Sequence, residues 1–424
     1  MAGATWQAVG SMLSLTSFVH RAELAEIIAR WMVNQPRAGD VQKLKGIVNF
    51  NTYSARIWVD RITRDLLRTL HEAVPTATAV RTKGEVKDFS VAHLPYTNAR
   101  IEELCGHYRR FPEDFYRETP IDGSYYTVNG GAGPQIVAFS RIKRFRRIAE
   151  KGSRRIVDFM LQRIRINAER LADERAHSLG IARTQLISSP QEMEEEFRHA
   201  ERRVIKSIKQ GTIRAELPNF DIPDVVGIKL IVEDERYNDL VEAIGRQSDT
   251  RIVEVERHTG FYNAVNIHLE YTLPMDLLAA HPPSDRYLDV LVARGFARED
   301  VPRLYAQFLA QCEPKVRVEI IVSTFQEYLE SEIGRCMHED RILSQRAHPE
   351  YRGHLATNVR YLMNYILTMC RSPRMEDIED IPIKLWVKYM PDTVSYLVRA
   401  LYLPEGHYFD AVPTVVAAAD NGVR

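Results

Sequence analysis

Hydrophobic positions change period several times along this chain, and the changes outline its architecture. Ala22 to Val33 places Leu24, Ile27, Ile28 and Met32 at three-to-four spacing, and Ile57 to Leu70 repeats the pattern with Ile57, Ile62, Leu66 and Leu67. Residues 1–72 therefore read as helices. Residues 73–130 are less periodic and end in turn chemistry, Thr119-Pro120-Ile121-Asp122-Gly123 and then Asn129 to Pro134. That glycine cluster reads as a domain boundary or a mobile loop.

A short strand, Gln135 to Phe139, precedes a long helical zone at about 144–210. Ile156, Phe159, Met160, Ile164 and Leu171 line one face of it, and Gly180 and Ser188-Ser189-Pro190 interrupt it. From 222 the period becomes two, or continuously apolar. Strands are expected at Val225 to Val232, Arg251 to Glu256, Asn263 to Tyr271 and Lys315 to Val322, with helices at 235–246, 285–312 and 325–345 between them. Leu355 to Cys370 and Ile383 to Leu401 read as helices again. The pattern predicts an α+β protein with a mixed sheet flanked by helices. Three regions are expected: a mainly helical 1–130, a core over 131–345 with a helical insertion at about 152–220, and a helical 346–424.

Composition adds exclusions. Lys+Arg and Asp+Glu both total 57, so no global charge argues for nucleic acid or a membrane surface. The four cysteines, Cys105, Cys312, Cys336 and Cys370, form no Cys-x-x-Cys pair and read as reduced thiols of a cytoplasmic protein. No apolar run approaches the ~18 residues of a membrane span. Met1 to Val19 lacks the charged front of a signal peptide and reads as a buried or docking helix. The histidines His258, His268 and His338 fit no common metal motif, and the glycines at 130–133 lack the Lys-Ser/Thr of a phosphate loop.

Two carboxylates stand out. Asp224 opens one expected strand and Glu319 lies inside another, among β-branched residues, where an unpaired charge is costly. A divalent cation would remove the cost, and magnesium takes one or two carboxylates together with substrate phosphates. The competing structural reading has Asp224 capping a turn and Glu319 paired with Arg317 or Lys229. From Arg141 to Arg170 there are eleven Lys/Arg against three Asp/Glu. Cations at a helix start oppose its dipole, so a phosphate-bearing ligand is the functional reading and a solvated helix face the structural one.

Together these pieces resemble the synthetase domain of the RelA/SpoT family, a nucleotidyltransferase that makes the alarmones of the stringent response. Arg141, Lys143, Ile148 and Lys151 fall at the spacings of the family's basic motif, with Arg147 in place of its serine. Asp224-Val225-Val226-Gly227-Ile228-Lys229 matches its Asp-Leu-x-Gly-Ile-Arg strand. Gly260-Phe261-Tyr262, followed by Asn266 and His268, resembles its Gly-Tyr-x-Ser-x-His motif, with either Asn266 or His268 in the histidine's place. Glu319 to Thr324 matches Glu-Ile-Gln-Ile-Arg-Thr, with Ile321 and Ser323 as departures, and Glu332 and His338 follow at the family's offsets.

The resemblance covers about 135–340. It implies an ATP-dependent pyrophosphokinase acting on GTP, GDP or a similar nucleotide, or on a tRNA 3′ end as toxic relatives do. It implies Mg2+ on Asp224 and Glu319, Glu319 as general base, ATP phosphates on Arg141, Lys143 and Lys151, and the acceptor base on Tyr262. Arg203, Lys206, Ser207 and Lys209 offer an alternative basic register. The chain has no His-Asp dipeptide of the family's hydrolase domain. The departures leave a catalytically inactive nucleotide-binding or regulatory module as the alternative.

Overall fold

The computed structural model describes residues 13–130, 133–212, 220–347 and 353–402. Its strands are β1 (Leu13–Ser14), β2 (Thr76–Thr82), β3 (Pro120–Gly130), β4 (Gly133–Ile142), β5 (Phe220–Asp221), β6 (Val226–Ile231), β7 (Thr250–His258), β8 (Ala264–Thr272) and β9 (Lys315–Ser323). Seven of them form one mixed sheet in the order β2-β3-β4-β6-β9-β8-β7, in which only the central pair, β6 and β9, runs parallel. β1 and β5 pair separately. The architecture is α+β, as the hydrophobic pattern predicts.

Period-two alternation gives the sheet two unlike faces. Ala138, Val226, Ile228, Leu230, Ile267, Leu269, Val318, Ile320 and Val322 point to one side. There they pack on Trp58, Val59, Ile62, Leu66 and Leu67 of the helix Asp40–Leu70. The other side is sealed only in part, where Val80, Ile136, Phe139 and Ile231 meet the helices Lys83–Ala92, Ala99–Arg110 and Phe325–Ile333. A third core is mainly helical. It joins Arg21–Met32, the front of Asp40–Leu70, Phe145–Ser178, Pro190–Lys209 and His354–Met369.

The 31-residue helix Asp40–Leu70 spans about 46 Å at 1.5 Å per residue and so belongs to both large cores. Its front half escapes the apolar pattern because polar residues are buried there against backbone. Lys45 donates to the carbonyl oxygens of Ser372 and Arg374, Asn49 to that of Cys370 and Asn51 to that of Val19. Burial lowers the Lys45 ammonium to about 8, an effect that Cys370 and Glu376 oppose and Arg294 reinforces.

Several expectations are corrected. The boundary placed at 130 falls inside the β3–β4 hairpin, where Gly130 pairs with Gly133, and β2 and β3 of the main sheet precede it. Their signal was weak because β2 is mostly exposed and reads Thr-Ala-Thr-Ala. The strand expected at 135–139 extends to Ile142, which puts Arg141 in the sheet rather than before a helix. The helices expected at 285–312 and 325–345 are each broken, at 293–300 and at 334–337. The last helix is only Pro391–Arg399. Of the expected N-terminal helix, residues 1–12 lie outside the described residues and Leu13–Ser14 is a strand. No described helix is long and apolar enough to cross a membrane.

Truncating a buried contact between helix and sheet tests this packing. Leu66→Ala, at a fully buried position, is expected to cost about 2–5 kcal/mol in urea unfolding followed by circular dichroism.

Candidate active site

The site lies on the partly open face and is laid out by strand register. Gly123, Arg141, Gly227, Glu319 and His268 are successive cross-strand partners on β3, β4, β6, β9 and β8. Partners directly opposite one another share a face, so Arg141, Glu319 and His268 project from one row. Lys229, Ile321 and Asn266 form the next row on the same side. Gly227 leaves a gap in the middle of the first row. A Cβ there would lie 3.9 Å from Glu319 Oε2, so the carboxylate sits against this bare backbone.

Asp224 stands where the chain enters β6. Its Oδ2 accepts from Lys143 Nζ at 2.9 Å and from Lys151 Nζ, and its carbonyl oxygen also accepts from Lys143. Burial alone would raise the Asp224 carboxyl, but the two ammonium groups outweigh it and hold the carboxyl well below the usual carboxylate range. Burial lowers Lys143 to about 8. Asp224 opposes that shift, and Arg141 and Lys151 add to it. The strand-to-helix junction makes this possible. Lys143 N–H donates to Val225 O at 2.8 Å, which pins the segment before the helix Phe145–Ser178 to β6, and Lys151 then lies two turns along.

Glu319 accepts one hydrogen bond, from Asn266 Nδ2 at 3.4 Å, and makes no ion pair among the described residues. Lys229, one of the partners proposed for it by the structural reading, instead meets Glu332 Oε1 at 2.6 Å. Asn266 Oδ1 is buried with no hydrogen-bond partner. Arg141 makes no hydrogen bond or ion pair among the described residues. Its charge nevertheless acts on Lys143, Lys229, Tyr262 and His338, which places it at the centre of the cluster. Burial pushes the Tyr262 hydroxyl up to about 12, with Arg341 opposing and Glu319 adding.

A buried ionic lattice backs the row. Glu332, at 1% exposure, accepts from Lys229 and, at 2.6 Å, from Lys83. Lys83 and Lys87 also approach Glu339 at 3.8 and 3.6 Å. Burial would raise the Glu332 carboxyl, but Lys229, Lys83 and Lys87 hold it well below the usual range. Burial lowers His338, and Arg141, Lys83 and Lys229 lower it further, so its imidazole is neutral at physiological pH.

The structure thus brings together Arg141, Lys143, Lys151, Asp224, Tyr262, Asn266, His268, Glu319, Glu332 and His338. It leaves the alternative register apart, with Arg203, Lys206 and Lys209 exposed on their helix. The choice between Asn266 and His268 dissolves, because residues two apart on β8 share the Glu319 face. Tyr262 departs from a bare stacking platform, since the Arg341 guanidinium lies 4.6 Å from its ring centroid. The spacing of His338 and Arg341, one turn apart, is the signal that would have found it. Lys83 carries no such signal, being 249 residues from Glu332. His268 also stands with Glu254 and Glu256, whose ligand atoms lie within 4.8 Å of one another.

Comparison with protein-family models, curated proteins and solved structures finds no match to this chain.

Removing the lattice's carboxylate leaves lysines buried without a counter-charge. Glu332→Gln is expected to destabilise the fold by about 3–5 kcal/mol, measured by denaturant unfolding.

Proposed function

We propose that this face of the sheet transfers pyrophosphate from ATP to a hydroxyl of a nucleotide such as GTP or GDP, or of a tRNA 3′ end, in the cytoplasm. The observation that carries the reading is the row in which Arg141, bare Gly227 and Glu319 stand side by side, neither charged group ion-paired among the described residues, with the Lys143–Asp224–Lys151 cluster at the adjoining strand-to-helix junction. An unpaired half-buried guanidinium suits a phosphate. Lys143 and Lys151 add charge where a triphosphate would lie, and Tyr262 and Arg341 offer planar groups to an acceptor base.

In this reading the acceptor oxygen attacks the β-phosphorus of ATP. The bond from that phosphorus to the α-phosphate oxygen breaks and AMP leaves. The hydroxyl proton passes to the Glu319 carboxylate. The residues fit a magnesium ion by donor type: Asp224, Glu319 and the unsatisfied Asn266 Oδ1 are hard oxygens. When bound, magnesium supplies charge neutralisation along the phosphates.

One observation favours the second reading, a nucleotide-binding module without catalysis. Asp224 is already neutralised by two lysines and so does not depend on a metal for its charge. Incubation with β-labelled ATP, magnesium and a panel of nucleotides and tRNA separates the two. Transfer by the native chain and at least a 100-fold loss in Glu319→Gln, roughly the contribution of a positioned general base, is the expected result. Label transferred to no acceptor would leave the binding module.

Lys143 gives this reading a pH signature. Its ammonium is charged at pH 7 and discharges as pH rises through about 8, so ATP affinity is expected to fall over that interval. Lys143→Arg, which stays protonated, is expected to flatten the profile in equilibrium binding measurements.

A further inference from the structure

The open face continues past Glu319. Along β9 its exposed or half-buried positions are Lys315, Arg317 and Glu319, alternating with buried Val316 and Val318. Along β8 they are Asn266, His268 and Glu270. Register pairs Arg317 with Glu270, immediately beyond the Glu319–His268 pair. Two residues of strand is about 7 Å. At that point the segment leading into the helix Arg21–Met32 runs beside β9, with Arg317 N–H donating to Thr16 O at 2.8 Å. The result is a cavity of about 210 Å3 lined by Ser14, Thr16, Arg21, Glu270, Lys315 and Arg317 beside the backbone of Val316.

Its lining carries three cations against one carboxylate. Glu270 is shared, taking Lys315 at 2.9 Å and Arg251 at 3.3 Å on the same oxygen, while Arg21 reaches Glu313 at 3.7 Å. A polar cavity lined by two guanidinium groups and an ammonium suits a phosphate. Its position gives the phosphate a direction. β8 runs from the Tyr262 end, past the level of Glu319, to Glu270, so base platform, candidate base catalyst and cavity follow one another along the strands.

We infer that this cavity takes the phosphate on the 5′ side of the acceptor whose hydroxyl lies at Glu319, an inference that rests on the acceptor site proposed above. The same chemistry arises from the 5′-diphosphate of a free nucleotide and from the backbone of an RNA 3′ end.

The test is calorimetry on the full chain without ATP. The probes are guanosine, adenosine, their 5′-diphosphates and an RNA hairpin ending in single-stranded CCA. Phosphate-bearing probes are expected to bind at least about tenfold more tightly than the nucleosides, about 1.4 kcal/mol. Lys315→Gln and Arg21→Gln, both at partly exposed side chains, are each expected to shrink that advantage and leave nucleoside affinity unchanged, with circular dichroism confirming the fold. An advantage for the diphosphates identifies a free nucleotide as the source, and an advantage for the RNA alone identifies its backbone. Equal affinity for nucleoside and phosphate-bearing probes, no binding by any probe, or an advantage untouched by both substitutions overturns the inference. Labelled pyrophosphate transfer, measured in parallel, keeps the two readings apart. Transfer without a phosphate advantage rejects the cavity and keeps the reaction. A phosphate advantage lost in both variants, without transfer, keeps the cavity and rejects the reaction.

Discussion

Charged side chains survive in the middle of a sheet only if the opposite face gives enough burial to hold the strands in register. Here the helix Asp40–Leu70 seals that face against the central strands, with Trp58, Ile62, Leu66 and Leu67 on Val226, Ile228, Ile320 and their neighbours. A slip of one residue in β6 or β9 would turn this apolar set outward, so the register is strongly fixed. Once it is fixed, Arg141, Gly227, Glu319 and His268 have to line up on the other side. The position of each group in that row is thus set by burial on the opposite face.

The second constraint is electrostatic. Lys229 and Glu332 come from the central sheet and the helix after it, but Lys83 and Lys87 come from a helix far earlier in the chain. Burying these charges is costly unless each finds its partner, so the lattice ties the β2–β3 edge and its helices to the site. The cores are coupled in the same manner at the other end, where Lys45 and Asn49 bond the turn after the helix His354–Met369.

The central strands and the site cluster were legible in the sequence because they obey local rules. β6 is apolar after Asp224 apart from Gly227 and Lys229, β8 and β9 alternate, and the basic positions from 141 to 151 lie close together. What stayed hidden depends on partners distant in sequence. β2 is an edge strand with little apolar signal. The front of the long helix buries lysine and asparagine, which mask its period. Arg141 looked like the start of a helix because it is a charged residue near the end of its strand, just before a run of further cations. Lys83 and the cavity formed by Arg21, Lys315 and Arg317 exist only once the fold is closed.

The helix His338–Ala347 carries Arg341 over Tyr262, and its far end is tied to the helix Phe145–Ser178 by Arg346 on Glu150 at 2.6 Å. That tie is partly exposed, unlike the lattice around Glu332 beneath it. At 0.15 M salt, charges are screened over about 8 Å, and an exposed pair contributes about 1 kcal/mol or less. The helix therefore answers unevenly to ionic strength: its far end loosens as salt rises, while its first turn, where Glu339 meets Lys83 and Lys87, and the strands carrying Arg141 and Glu319 keep their places.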